Sequence, residues 1–350
     1  MKGVLLAVLL ALPASADRPI KPYAPEFPPD HAWLNAKPLS LERLRGRKVT
    51  VVAFLNLASI NSVRAMPALK GWFDRYWAHD LMVIGVFTPD LEAQRDPRWA
   101  KAELKRYGAE FPVILDKERR VWKAYNNEGW PALYLLDVKG RVVFDRLGEG
   151  GYKEFEGELR KELGVFHSER DLPPALGLAD APSRDCGAAT SEVTLGARKG
   201  AREPLVLDRD FTIRSAIIVG SRQGEVAVRG RWDEEGDGLR LEQNNRDQGA
   251  FLRVVYQGAQ ALGFLSPAAG AATRFFIKQD DLWLHEGNAG ADVKFDDDGR
   301  SYVPVDAARL YDLTRDPSVS AHEIYIFPDR RGASVRGFSF ADACVVTSVR

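Results

Sequence analysis

Phe54-Leu55-Asn56-Leu57-Ala58-Ser59-Ile60-Asn61-Ser62-Val63-Arg64-Ala65-Met66-Pro67 is the stretch whose reading decides the fold. The residues before it, Val49-Thr50-Val51-Val52-Ala53, form with Phe54 and Leu55 an apolar, β-branched run that predicts a buried strand. From Ser62 onward the apolar positions change to helical spacing, with Met66, Leu69 and Phe73 on one face. The segment is therefore a strand, a tight turn and a helix start, with Ser59 expected as the N-cap, a position serine favours because its oxygen can take a free amide.

Working outward, Ala65, Leu69, Trp72, Phe73 and Tyr76 are expected to face the core of this helix, with Lys70, Asp74 and Arg75 outside and Pro67 bending it. Leu81-Met82-Val83-Ile84-Gly85-Val86-Phe87 is the next strand, and it can run parallel to the first only because a helix crosses over between them. Thr88-Pro89-Asp90 is read as opening a polar helix through Tyr107, Phe111 to Leu115 as a return to the sheet, and Val121 to Tyr125 as a short helix. Trp130-Pro131 then leads into two strand patterns joined by Lys139-Gly140, an antiparallel hairpin, before an amphipathic helix from Gly151 to Leu163.

Residues 165–190 are poor in periodicity and rich in Pro, Ala and Asp, and are expected to form a linker. Beyond them the texture changes to short runs of period two, among them Phe251 to Tyr256, Ala259 to Leu265, Arg309 to Leu313 and Ile324 to Phe327. Many short strands without helices predict an antiparallel sandwich over residues 191–350.

The chain of 350 residues carries 49 basic and 49 acidic side chains, so nothing in its charge suggests nucleic acid or an anionic membrane surface as a partner. Lys2, the apolar run Val4 to Leu12, Pro13 and Ala14-Ser15-Ala16 read as a secretory signal peptide cleaved near Ala16, followed by an extended, proline-rich lead-in over 17–30. The expected location is exported, periplasmic or secreted, with no membrane span in the mature chain. An even pair of cysteines in an exported chain, Cys186 and Cys344, is best read as one structural disulfide.

The order of elements and several residues resemble the thioredoxin-like domain of the thiol:disulfide exchange family, of the type found in DipZ proteins. The residues that carry this resemblance are Asn61 and Arg64, Pro67 with Leu69, Leu81 to Pro89, Tyr125 with Trp130 to Leu135, and Gly148-Glu149-Gly150 with Tyr152. Ser191 to Gly196, Gly230-Arg231-Trp232, His322 to Ile326 and Gly337 to Phe340 more loosely resemble the β-sandwich that follows that domain, a jelly roll similar to carbohydrate-binding modules. The implied architecture is an α/β thioredoxin fold over 31–164 followed by an all-β, jelly-roll-like sandwich. The resemblance also implies a cis bond before Pro131, with Trp130 and Pro131 offering backbone to an extended polypeptide.

The two positions that match the family's reactive dithiol are Ser59 and Ser62. Disulfide exchange needs a thiolate to attack and a second thiol to resolve the mixed disulfide. A hydroxyl supplies neither, and a helix dipole worth about 0.3–1 kcal/mol cannot ionise it. A hydrolytic role for Ser59 would need a base, and His31, His79 and His167 show no spacing that brings one to it. Trp232, Trp283, Tyr256, Tyr302, Tyr311 and Tyr325 are read as core residues before they are read as a platform for sugar. Asp296-Asp297-Asp298-Gly299 reads as a turn, since the ligand ladder of a calcium loop is missing, and neither a metal nor any cofactor is assigned. The expected function is an exported, non-catalytic binding or scaffold protein for an extended polypeptide or a glycan. The alternatives are a thiol:disulfide oxidoreductase-family protein whose partner supplies the thiol, and a carbohydrate-binding protein led by the second domain.

Overall fold

The structure is a computed structural model that describes residues 21–178, 188–195, 205–207 and 222–342. The signal-peptide reading, Cys186 and Cys344 lie outside the described residues.

The first part of the chain folds as β1 (Ala32–Leu34), α1 (Leu41–Leu44), β2 (Val49–Leu55), α2 (Ile60–Tyr76), β3 (Leu81–Phe87), α3 (Pro97–Arg106), β4 (Val113–Leu115), α4 (Arg120–Ala124), β5 (Ala132–Leu136), β6 (Val142–Leu147) and α5 (Tyr152–Leu163). The strands form one sheet in the order β1-β4-β3-β2-β5-β6. β3 is parallel to β2 and β4, whereas β5 runs antiparallel to β2 and β6 to β5. Central β2 is buried on both faces: Val49, Val51, Ala53 and Leu55 pack with Leu69, Trp72 and Tyr76 of α2, and Val52 and Phe54 pack with Tyr125 and Val121 on the other side. That two-sided burial is why its sequence is an unbroken apolar run and not an alternating one. The polar helix expected from Thr88 to Tyr107 is interrupted: a 3₁₀ turn covers Glu92–Arg95, and α3 begins afresh where Asp96 accepts the amide of Arg98 at 2.8 Å. Residues at the start of the expected linker pack on this domain, with Leu172 and Leu178 buried in its core.

The second part is all β: β7 (Val193–Thr194), β8 (Leu205–Leu207), β9 (Val226–Arg229), β10 (Trp232–Glu235), β11 (Gly238–Leu241), β12 (Phe251–Ser266), β13 (Thr273–Gln279), β14 (Leu282–Trp283), β15 (Lys294–Phe295), β16 (Ser301–Val305), β17 (Arg309–Pro328) and β18 (Ser334–Ala341). Two pairs of expected short strands merge, because β12 and β17 run for 16 and 20 residues and pair with each other antiparallel. The sequence breaks between them are register irregularities, at Gly258/Gln260 on β12 opposite a jump from Ser320 to Arg315 on β17. β12 pairs with β9 along its first residues and with β18 along its last. Period two sorts the side chains, so Phe275, Ile324 and Ile326 enter the main core while Phe276, Tyr325 and Phe327 form an aromatic cluster on the other face.

Candidate functional site

Ser59 stands at the N-cap of α2 with extended backbone (φ −106°, ψ 126°), and its carbonyl accepts the amide of Val63 at 3.1 Å. Its hydroxyl makes no capping bond, so the backbone takes the cap position without the side chain doing so. The Ser62 hydroxyl turns back to accept the amide of Asn56 at 3.0 Å. Asn56 Oδ1 in turn accepts from Ala58 N at 3.0 Å and from Gln94 Nε2 at 2.7 Å, which ties the turn to the segment after β3. Ser59 and Ser62 are 2% and 0% exposed. A nucleophile that must meet a macromolecular substrate cannot work from such burial without an opening.

The cover comes from the second domain. Ile60 N, the first amide of α2, donates to Ser339 Oγ of β18 at 3.0 Å, and Ser339 Oγ donates to the Glu192 carboxylate at 3.0 Å. A carboxylate thus stands one hydroxyl away from the positive end of the helix, where a thiolate would otherwise gain stabilisation. Around this bond, Ile60 and Leu91 of the first domain are buried with Leu262, Phe264, Leu310 and Ala341 of the second, and Val63 and Trp99 pack against them. Trp99 Nε1 donates to the carbonyl of Ala308 at 2.5 Å, its ring centroid is 6.0 Å from that of Phe264, and the amide of Glu92 donates to Asp237.

Arg64, one turn into α2, binds both sides of the junction. Its guanidinium lies 3.5 Å from Glu149 Oε2, 3.3 Å from Asp342 Oδ1 and 3.5 Å from Gln260 Oε1. Glu149 is pushed up to about 7 by burial, and the Asp342 charge adds to the rise while Arg64 opposes it. Its Oε1 is buried with no hydrogen-bond partner among the described residues, which favours the neutral acid.

The Trp130–Pro131 bond is cis, and the Pro131 carbonyl accepts the amide of Gly148 at 2.8 Å, so the loop carrying Glu149 lies beside it. Pro131 itself is buried, while Trp130 is half-exposed with its ring centroid 4.8 Å from that of Trp122. Arg119 holds its guanidinium 5.2 Å and 5.3 Å from these two ring centroids and pairs with Asp90 at 2.9 Å.

The other sequence candidates lie apart from this junction. His31 bonds Asp116 at 3.2 Å and His167 bonds Asp80 at 3.0 Å, so these two imidazoles are engaged elsewhere in the first domain. In the second domain Tyr256, Tyr311 and Tyr325 are buried, and Trp232, Trp283 and Tyr302 are half-exposed. Asp296 Oδ1 accepts the amides of Asp298 at 3.1 Å and Arg300 at 2.8 Å, an Asx-type turn. Among the described residues, no group of three His, Cys, Asp or Glu is arranged to hold a metal. His322, which stands alone in sequence, lies between Ser320 Oγ and Asp280 Oδ2, each at 2.7 Å. That chain has the connectivity of a catalytic triad, and Asp280, with Asp316 beside it, holds the imidazole pKa above its ordinary value.

Ser339, Glu192 and Asp342 escape sequence reasoning as parts of this site, because nothing local marks a residue that docks on a helix 279 positions away. Residues 23–145 match the AhpC/TSA family. The first domain is thioredoxin-like. Over 179 residues the chain is 33% identical to "Protein DipZ" of Mycobacterium bovis, a match that covers 50% of this chain and 26% of that relative. It is 29% identical over 139 residues to "Thiol-disulfide oxidoreductase YkuV" of Bacillus subtilis, covering 40% of this chain and 93% of that protein. Among solved structures, a thioredoxin-like protein in its oxidised form is 27% identical, covering 43% of this chain and all of that one with a TM-score of 0.39. The thioredoxin-like domain thus has thiol-disulfide oxidoreductases among its relatives while carrying serine at positions 59 and 62.

Proposed function

We propose that this protein is an exported, non-catalytic thioredoxin-like binding protein whose former dithiol site is occupied by its own second domain. The observation that carries the reading is the hydrogen bond from Ile60 N to Ser339 Oγ, set within the apolar cluster that covers the start of α2. Serine at both reactive positions removes exchange chemistry, and the junction converts the surface into an intramolecular contact. The half-exposed Trp122 and Trp130, with Arg119 across them, are then the surface near Pro131 left for an extended polypeptide. Export rests on the Ala14-Ser15-Ala16 pattern; in addition, no helix among the described residues is long and apolar enough to cross a membrane.

The purified protein is expected to leave insulin disulfides intact in the presence of a dithiol reductant, above the reductant's own background rate. Turnover above that background overturns the reading. Intact mass measured with and without reductant decides whether Cys186 and Cys344 are bridged, which the export reading expects.

A further inference from the structure

The second domain holds a cavity of about 600 Å³ far in sequence from the serine pair, within the size range of small-ligand sites. Five arginines line it: Arg246 after β11, Arg274 on β13, Arg300 just before β16, and Arg330 and Arg331 in the turn after β17. One carboxylate, Asp329, stands on the same wall. Among the lining residues themselves, five guanidinium groups thus face one carboxylate.

Acids nearby pair with four of the five. Asp329 is shared, 3.3 Å from Arg274 and 3.9 Å from Arg330. Arg331 pairs with Glu242 at 2.8 Å, a carboxylate that also takes Arg240 at 2.5 Å, and Arg240 is held in addition by Glu235 at 3.3 Å and Asp233 at 3.7 Å. Arg300 is held by two carboxylates, Asp296 at 2.8 Å and Asp298 at 3.0 Å, and Arg246 has no ion pair among the described residues. Phe276 gives the hollow a fixed floor, because the guanidinium groups of Arg274 and Arg300 lie 5.2 Å and 5.3 Å from its ring centroid. Stacking of this kind orients planar forks. The side-chain amides of Asn244 and Gln248 add neutral donors and acceptors to its lining.

We propose that this cavity binds a ligand bearing at least two phosphate or carboxylate groups. Guanidinium forks match both oxyanions by paired N–H···O bonds, and arginines placed on four separate segments of the fold suit charges spread along a molecule better than a single ion. The site is independent of the sealed serine pair, so neither proposal falls with the other.

Calorimetric titration of the full chain with tripolyphosphate, trigalacturonate and neutral maltotriose tests it. Saturable binding of one or both anions is expected, with none for maltotriose, and the preferred anion identifies phosphate or carboxylate as the recognised group. Arg246→Ala and Arg330→Ala should each weaken that binding by roughly tenfold or more, the scale of one lost charge-assisted contact. Arg98→Ala, a fully exposed arginine of the first domain, should leave it unchanged. No binding of either anion, equal binding of maltotriose, or an affinity indifferent to Arg246 and Arg330 overturns the proposal.

Discussion

The backbone amide of Ile60 and the side-chain hydroxyl of Ser339 are 3.0 Å apart across 279 positions of sequence, and this bond joins the start of α2 to the second domain. It makes the helix terminus, which a thiol exchanger keeps open for its substrate, a buried part of a domain junction.

Putting the reactive atoms back isolates the role of the cover. The double variant Ser59→Cys and Ser62→Cys is expected to keep its fold, since each change exchanges a small buried side chain for another. Maleimide labelling of the introduced thiols, after subtraction of the native cysteines measured in the parent protein, should be slow while the junction is closed. Adding Trp99→Ala, which removes the contact with Phe264 and the bond to the Ala308 carbonyl, should speed labelling by about tenfold for each 1.4 kcal/mol lost from closure. Fast labelling in the double variant alone shows that the cover does not hold.

Phe264 measures the junction's stability. Its ring is buried among Ile60, Leu91, Leu262 and Leu310, and Phe264→Ala should cost on the order of 3–5 kcal/mol by removing buried area and leaving a cavity. Urea unfolding followed by tryptophan fluorescence checks this. Separation of one transition into two would mark the loss of coupling between the domains.

Glu149 gives the junction a pH dependence of defined sign. Burial raises its carboxyl from 4.5 to about 7. Below the lower value both folded and unfolded states hold the proton. Between the two values only the folded state holds it, so stability should fall as pH rises through this window and level off above about 7. Glu149→Gln, which keeps the shape without the charge, should flatten this slope and gain on the order of 3 kcal/mol at pH 8. Urea midpoints of parent and variant at pH 5.5 and pH 8 read the difference.

The buried pair of Arg253 and Glu323 in the second domain is expected to be unforgiving of one-sided change. Arg253 Nε donates to Glu323 Oε2 at 2.9 Å, and the Tyr325 hydroxyl donates to the same oxygen at 2.8 Å. Glu323→Ala leaves a guanidinium buried without this carboxylate and should cost about 3–5 kcal/mol, measured by the same unfolding experiment.

Within the first domain most of the fold was legible locally. The change from the apolar run of β2 to the helical spacing of α2 lies inside one stretch, and burial of β2 on both faces is what made that run continuous. In the second domain, period two identified strands but not their lengths, since Gly258 and the irregular pairing at Ser320 and Arg315 interrupt the pattern without ending β12 or β17. The serine hydroxyls show the same division. Their identity excluded thiol chemistry from sequence alone, but the partner of Ser62, the unused side chain of Ser59 and the hydroxyl that meets Ile60 depend on how chain segments pack.

By itself the sequence determined the secondary structure around Ser59 and Ser62, the absence of sulfur there, and the change to an all-β second half, because these follow from side-chain type and spacing along the chain. Only the tertiary structure decided that β18 closes over the start of α2, that Arg64 bridges Glu149 to Asp342, and that five arginines from separate segments face one cavity. Such contacts join residues far apart along the chain, and their energies come from docking complementary surfaces, which no local period encodes.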